Sequence, residues 1–130
     1  MTKEDWVQVE KALSGVYGFA KIKADGRLVS FSRGLIGKNR LVIATYIDGV
    51  FEFKWVLREG AHLERSYLKR SEKFYYTAAE RAKLKKLPKK YQSNIDKKIE
   101  QFSPFWNSGA EIRRHYQKTF ASIELVEVIG

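Results

Sequence analysis

The chain contains no cysteine, and it has only two histidines, two prolines and one methionine in 130 residues. Without cysteine it can form no disulfide bond, no thiolate metal site and no cysteine nucleophile. His62 and His115 lie far apart in the sequence, and neither has a second ligand at the spacing of a zinc site. No G-x-S-x-G sequence marks a serine nucleophile. We therefore expect no metal, no cofactor and no nucleophilic active site.

Long apolar runs are also missing. No stretch approaches the roughly 18 consecutive apolar residues that indicate a membrane-spanning helix. The N-terminal sequence M-T-K-E-D-W lacks the apolar core of a secretory signal. Together with the absence of cysteine, these features predict a soluble, cytoplasmic protein that does not enter a membrane.

Acidic residues are outnumbered, with 15 Asp and Glu against 25 Lys and Arg, and the pI is near 9.8. Such a charge favours anionic partners, which include nucleic acid, an acidic protein face and an anionic membrane surface. The hydrophobic fraction of 44% and the aromatic fraction of 14% are too high for a disordered chain. At this length the chain predicts one domain with a true core.

The first residues predict a helix. Thr2 is followed three positions later by Asp5, which is a variant of the capping box that begins helices. The helix is expected over 2–13, because apolar residues recur there at helical spacing. Its buried stripe is predicted to consist of Trp6, Val9 and Leu13.

Two Asp-Gly pairs predict two β-hairpins. Asp25-Gly26 and Asp48-Gly49 supply the residues that a type I′ turn needs, since both central positions of that turn have positive φ. The hairpins are expected over 16–32 and 40–57, with the sheet broken at Gly60. Pairing about the first turn gives one apolar face that contains Ala20, Ile22, Ala24, Val29 and Phe31.

The second hairpin is predicted to carry an aromatic face, and a loop over 33–38 is expected to precede it. This face is either the main core layer or a platform on which bases stack, and an apolar patch of this size favours the core. The face consists of Val42, Ala44, Tyr46, Phe51, Phe53, Trp55 and Leu57.

The second half of the chain predicts helices and a last strand. The stretch 62–76 is expected to be irregular or a short helix, and a capping box predicts a helix over 77–87. A second capping box predicts a helix over 108–119, and the largely apolar sequence S-I-E-L-V-E-V-I predicts a strand over 122–129. Between them, a helix over 88–101 is indicated by the amphipathic spacing of Tyr91, Ile95, Ile99 and Phe102.

This order of elements predicts an α+β fold. We expect an antiparallel sheet of two β-hairpins plus a C-terminal strand, an N-terminal helix, and three C-terminal helices packed on the sheet. The chain would form a single domain over 1–130. Its parts would be a hairpin sheet over about 16–57, a basic helical segment over about 62–119 and a final strand over about 122–129.

The excess positive charge is concentrated in the stretch 65–90, which has ten Lys and Arg against two Glu. Aromatic residues are interleaved with these cations. Lys and Arg attract a phosphate backbone whatever its sequence, and aromatic rings stack on exposed bases. The sequence therefore predicts nucleic-acid binding by Arg65, Lys69, Arg70, Lys73, Tyr75, Tyr76, Arg81, Lys83, Lys85, Lys86, Lys89 and Lys90.

No standard nucleic-acid-binding motif accompanies this stretch. The RNP1 aromatic pattern and the KH G-x-x-G loop are absent. We therefore expect a non-enzymatic binding protein whose ligand, DNA or RNA, single or double stranded, stays open. A homodimer is compatible with this prediction.

A nuclease is the alternative enzymatic interpretation. Glu52-Phe53-Lys54 is an E-x-K on a predicted strand, and Asp25 lies upstream at a hairpin turn. This arrangement is similar to the PD-(D/E)xK nuclease family, which implies two carboxylates on Mg²⁺ and a lysine that polarises water. The pattern departs from that family because Ala24 stands where a proline is expected.

The phrase Phe74-Tyr75-Tyr76-Thr77-Ala78-Ala79-Glu80-Arg81 and the ending Ser122-Ile123-Glu124 resemble small uncharacterised proteins of bacteriophages and prophages. The resemblance covers the C-terminal half and implies no activity and no site residues. It implies the cytoplasm of a bacterial host. It also raises a second class of function, an anti-CRISPR-like inhibitor that binds a host nucleoprotein defence complex.

Overall fold

The computed structural model describes residues 1–57, 62–92 and 95–130, so the expected sheet break at Gly60 lies outside the described residues. Within these ranges the chain forms three α-helices and seven strands, which confirms the α+β class. The elements are α1 Lys3–Ala12, β1 Phe19–Ala24, β2 Arg27–Ile36, β3 Arg40–Ile47, β4 Lys69–Phe74, α2 Ala78–Leu84, β5 Lys98–Ser103, β6 Phe105–Trp106, α3 Gly109–Thr119 and β7 Ile123–Ile129.

The chain divides into two compact units. We call Met1–Lys69 with Phe102–Gly130 the sheet unit, and Arg70–Gln101 the basic unit. The sheet unit holds a five-stranded sheet in the order β6-β3-β2-β1-β7, and every pairing in it is antiparallel. β4 and β5 form a separate two-stranded sheet. The expectation of a single domain stays a prediction.

The first hairpin forms as its turn residues predict. Asp25 and Gly26 have φ of 46° and 86°, the left-handed backbone that a type I′ turn requires. Ala20 pairs with Phe31 and Ile22 pairs with Val29, so the predicted apolar face is confirmed. All four of these side chains are fully buried.

The core lies between one face of the sheet and the helices α1 and α3. The predicted capping box of Thr2 and Asp5 begins α1, and Trp6, Val9 and Leu13 are buried as expected. Ile112 and Tyr116 of α3 join the same cluster. β7 lies beside β1 at one edge of the sheet, so the predicted last strand is confirmed.

Hydrogen bonds of two buried tyrosines connect the 3₁₀ turn Leu63–Tyr67 to this core. The Tyr116 hydroxyl donates to the Tyr67 carbonyl at 2.6 Å, and the Tyr67 hydroxyl donates to the Ala24 carbonyl at 2.9 Å. Burial raises the pKa of Tyr116 well above its ordinary value, because the phenolate would lose its hydration. The start of the predicted basic segment is therefore part of the core of the sheet unit.

The second hairpin differs from the prediction. Asp48 and Gly49 form the expected turn, with φ of 52° and 84°, but among the described residues a single bridge from Ile47 to Val50 is the only pairing that follows it. Chain 53–55 is a 3₁₀ turn instead of a strand. β6 occupies the position of the missing arm, since Phe105 and Trp106 pair with Ala44 and Ile43 of β3.

The aromatic face predicted for that hairpin is consequently not the main core layer. Ile43 and Ile47 on the opposite face are fully buried, whereas the Phe53 side chain is 72% exposed. Of the predicted face, Val42 and Trp55 are buried. Trp55 reaches the core from the 3₁₀ turn, where the strand alternation no longer applies.

Three further stretches differ from the prediction. The stretch 62–76, expected to be irregular or a short helix, contains the strand β4 as well as the 3₁₀ turn Leu63–Tyr67. The loop expected over 33–38 is mostly strand, because β2 continues to Ile36 and turns at Gly37. The helix expected over 88–101 is replaced by a 3₁₀ turn, Lys89–Tyr91, and the strand β5. Pairing with β4 overrides the helical spacing of the apolar residues there. Ser93 and Asn94 of that stretch lie outside the described residues.

Substitution of Gly18 tests how closely the chain packs against the end of α1. A Cβ atom on Gly18 would lie 1.7 Å from the carbonyl oxygen of Ala12, a backbone atom that cannot rotate away. We expect Gly18→Ala to lower the free energy of unfolding by about 1–3 kcal/mol, measured by urea denaturation. Gly34→Ala is the control, because nothing lies within 4 Å of its Cβ position. Equal stability of the two variants would contradict this packing.

Candidate nucleic-acid interface

The basic unit holds ten Lys and Arg against four Asp and Glu, a net charge of +6 within Arg70–Gln101. Its elements are β4, α2, the 3₁₀ turn Lys89–Tyr91 and β5. Thr77 caps α2 as predicted, since its hydroxyl accepts from the Glu80 amide at 3.2 Å. The unit is thus a small scaffold that presents cations from several elements.

Two of the predicted site residues belong to the sheet unit and have structural contacts there. Arg65 Nε donates to the Trp55 carbonyl at 2.9 Å, and the same guanidinium donates to the Leu57 carbonyl. Its Cζ also lies 5.4 Å from the centre of the Phe102 ring. Lys69 Nζ lies 3.1 Å from a carboxylate oxygen of Glu111 on α3. These contacts indicate that Arg65 and Lys69 stabilise the fold.

The two arginines of the basic unit are also paired. Arg70 contacts Glu72 at 2.9 Å and forms a second ion pair with Glu100 on β5. Arg81 lies 3.0 Å from Asp96. The Arg70–Glu100 and Arg81–Asp96 pairs join residues 30 and 15 positions apart in sequence, so these arginines link the parts of the unit to one another.

Arg81 is stacked as well as paired. Its guanidinium carbon lies 3.7 Å from the centre of the Phe74 ring, and the Lys98 ammonium lies 5.3 Å from the same centre. A cation at this distance over an aromatic face is attracted by the ring quadrupole. Phe74 therefore anchors β4 to α2 and is not a free stacking platform.

Tyr75 and Tyr76 meet edge to face, with ring centres 4.9 Å apart. The Tyr75 side chain is 48% exposed, and the Lys97 ammonium lies 5.2 Å from its ring centre. The Tyr75 amide donates to the Lys97 carbonyl at 2.7 Å, which fixes the position of this pair. The structure thus brings a half-exposed ring and a lysine together, as base stacking beside a phosphate requires.

The remaining lysines of the predicted site are exposed, and they form no ion pair within the described parts of the chain. Lys90 lies 4.9 Å from the centre of the Tyr91 ring. We call the others the unpaired lysines, and they are Lys73, Lys83, Lys85, Lys86 and Lys89.

Two cations of the unit were missed from the sequence. Lys97 and Lys98 lie outside 65–90, within the stretch 88–101 that was predicted to be a helix. In the structure Lys97 precedes β5 and lies over the ring of Tyr75. Lys98 is the first residue of β5 and lies over the ring of Phe74. The sequence K-I-E-Q-F-S over Lys98–Ser103 does not alternate between polar and apolar residues, so no periodic signal indicates this strand.

The residues of the nuclease alternative have other contacts. Glu52-Phe53-Lys54 lies at a 3₁₀ turn and not on a strand, and Lys54 is 3.4 Å from Glu52. Asp25 Oδ1 accepts from the Ser122 amide at 3.0 Å. His115 is not part of this set, and its Nε2 donates to the Ser66 carbonyl at 2.7 Å. No group of three metal-ligating side chains occurs in the described ranges.

The Lys69–Glu111 pair predicts acid sensitivity of the sheet unit. Burial raises the pKa of Glu111, but hydrogen bonds from Lys69 and the Asn107 amide outweigh burial, so its pKa lies below the usual value. A carboxyl with a lowered folded pKa stabilises the fold above its unfolded pKa of about 4.5, and this stability is lost as pH falls through the folded pKa. Glu111→Gln should therefore melt below the wild type at pH 7.

The difference in melting temperature between the wild type and Glu111→Gln should shrink below about pH 4.5, where the wild-type carboxyl begins to protonate. Thermal unfolding followed by circular dichroism between pH 3 and 7 measures it. A difference in melting temperature that is constant over this range would show that the charge of Glu111 does not contribute to the stability of the fold.

Comparison of the chain with protein families, with curated proteins and with solved structures finds no match. None of the described helices has both the length and the apolar composition needed to cross a membrane.

Proposed function

We propose that the protein binds nucleic acid, without catalysing a reaction on it, through the unpaired lysines of the basic unit. The proposal rests on one observation, which is that the arginines and the lysines of the basic unit differ in their contacts. The arginines are paired with carboxylates, whereas Lys73, Lys83, Lys85, Lys86 and Lys89 are exposed and unpaired in the described chain. A phosphate can approach these lysines without breaking an ion pair.

The energetics favour a polyanion over a single small anion. An exposed lysine gains little from one screened charge in water. A nucleic-acid backbone has condensed counterions, and each phosphate neutralised by a lysine releases them into solution. Five lysines on one short segment supply several such contacts, and the entropy of the released ions adds across them.

The number of lysines sets the expected dependence on salt. Five phosphate contacts predict a slope of log K against log salt of about −4.5 on duplex DNA and about −3.5 on single strands. Between 50 and 200 mM salt, the affinity for a duplex should therefore fall by roughly 500-fold. Tyr75, which is half exposed beside Lys97, is the candidate for stacking on an unpaired base.

Fluorescence polarisation with labelled single- and double-stranded DNA and RNA tests the proposal. Salt is varied from 50 to 200 mM, with and without Mg²⁺. We expect micromolar or tighter binding at low salt, the slope given above, and intact ligand after incubation with Mg²⁺. Absence of binding to all four ligands at 50 mM salt would overturn the proposal, and Mg²⁺-dependent cleavage would overturn its non-enzymatic part.

A protein partner is the other outcome of this test. Weak affinity for free nucleic acid, together with stoichiometric binding to one host nucleoprotein complex, would identify the basic unit as a protein-docking face. The inhibitor class raised by the sequence would then replace the proposal.

A further inference from the structure

The hairpin formed by β2 and β3 extends beyond the core of the sheet unit. On its core face, Phe31 and Ile43 are fully buried, but Leu35 and Leu41 farther along the same strands are 64% and 38% exposed. Leu35 and Leu41 pair with each other across the ladder. We call residues 35–41 the hairpin tip.

The hairpin tip is cationic. The sequence from Arg33 to Leu41, R-G-L-I-G-K-N-R-L, contains three cations and no acid. Arg33 donates to the Leu13 carbonyl at 2.9 Å, which directs it toward the core. Lys38 and Arg40 are exposed, and no ion pair engages them within residues 1–57, 62–92 and 95–130.

The hairpin tip is also an ordered ribbon. Ile36 pairs with Arg40, so the ladder continues to the turn. Gly37 has a φ of 62°, a left-handed conformation that allows the tight reversal. A two-stranded ribbon of this kind fits the major groove of B-form DNA, which is about 12 Å wide.

We propose that the hairpin tip is a second nucleic-acid contact, which enters the major groove of duplex DNA. Lys38 and Arg40 neutralise phosphates at the groove edges, and the Leu35–Leu41 pair meets the apolar edges of the bases, such as thymine methyl groups. This inference rests on the proposed function and adds the form of the ligand.

The composition of the hairpin tip favours duplex DNA over single-stranded nucleic acid and duplex RNA. Residues 33–41 contain no aromatic ring, so the tip offers no surface on which the bases of a single strand can stack. The major groove of an A-form RNA helix is too deep and narrow for side chains to read. A ribbon with cations at its turn and leucines on one face is therefore suited to B-form DNA.

The test compares Lys38→Gln/Arg40→Gln with the wild type on duplex DNA, duplex RNA and single-stranded DNA by fluorescence polarisation over a salt series. With the two tip contacts added to the five lysines, the salt slope of the wild type on duplex DNA should be about −6.3. Loss of the two tip contacts should return the slope to about −4.5 and reduce the affinity by about 30-fold at physiological salt. The affinities for duplex RNA and single-stranded DNA should change less than threefold. Lys11→Gln/Lys118→Gln removes two exposed charges elsewhere and is the matched control.

The outcomes separate this inference from the proposed function. If the tip variant keeps wild-type affinity for duplex DNA while a variant of the unpaired lysines loses it, the tip is excluded and the proposed function stands. Equal losses on all three ligands would overturn the groove contact. If the wild type binds no nucleic acid, both proposals fail together.

Discussion

Replacement of Lys83, Lys85 and Lys86 by glutamate should lower the affinity for nucleic acid by about 100-fold or more at physiological salt. Counterion release at about 0.9 ion per phosphate contributes roughly 1 kcal/mol for each lost contact, and three contacts therefore give two orders of magnitude. The magnitude of the salt slope on duplex DNA should also decrease by about 2.7. Because the three side chains are exposed, the melting temperature should stay within about 2 °C of the wild type.

The matched control is Lys3→Glu/Lys11→Glu/Lys118→Glu, which changes the net charge by the same amount on α1 and α3. All three lysines are exposed, and all lie in the sheet unit. This variant should retain most of the affinity. An equal loss in both variants would mean that net charge alone governs binding and that the basic unit is not the site.

Arg81 is left unchanged in this design because it has a structural role. Its ion pair with Asp96 and its stacking on Phe74 connect α2 to other parts of the basic unit. A substitution there would disturb the scaffold and the site together. The lysines permit a cleaner test, since an exposed lysine contributes little to stability.

Phe31→Ala should lower the free energy of unfolding by about 3–5 kcal/mol. Phe31 is fully buried, and its ring meets Tyr116 edge to face at 5.4 Å, so truncation leaves a cavity between the sheet and α3. For a chain of this length the melting temperature should fall by about 11–18 °C. Differential scanning calorimetry measures the shift.

Phe53→Ala is the control for Phe31→Ala. Phe53 is 72% exposed, and its truncation should change the free energy of unfolding by less than about 0.5 kcal/mol. The comparison distinguishes the structure from the core expected for the second hairpin, in which Phe53 would be buried. A larger effect at Phe53 than at Phe31 would contradict the observed core.

The sequence correctly predicted the elements that depend on residues close together in the chain. Both Asp-Gly turns form with positive φ, and the Thr2 capping box begins α1. The register of the first hairpin followed from its turn, because a two-residue loop fixes every pair along the ladder. These interactions need no information from the rest of the chain.

The errors occurred where distant residues compete for the same backbone. β6 occupies the edge of β3 that a second hairpin arm would need, and it comes from about 60 residues later in the sequence. β5 forms because β4 is there to pair with it, although its apolar residues also fit a helix. Spacing along the chain cannot show which partner is present.

The sequence predicted which residue types make up the candidate site, but it did not predict how those residues are arranged or paired. Charge density located the basic segment, but it could not separate Arg65, Lys69, Arg70 and Arg81 from the lysines around them. Glu111, the partner of Lys69, and Glu100, a partner of Arg70, lie 42 and 30 residues away. The partners of Arg65 and Arg81 lie 8 to 15 residues away. The structure thus divides one uniform charge run into residues that stabilise the fold and residues that are available to a ligand.

Lysine-modification footprinting is the most direct measurement of the central claim. The protein is acetylated with and without saturating single-stranded DNA at low salt, and mass spectrometry gives the extent of modification at each lysine. We predict protection of Lys83, Lys85, Lys86 and Lys89 in the complex, with no protection of Lys3, Lys11 and Lys118. Protection of the second group without the first would contradict binding by the basic unit.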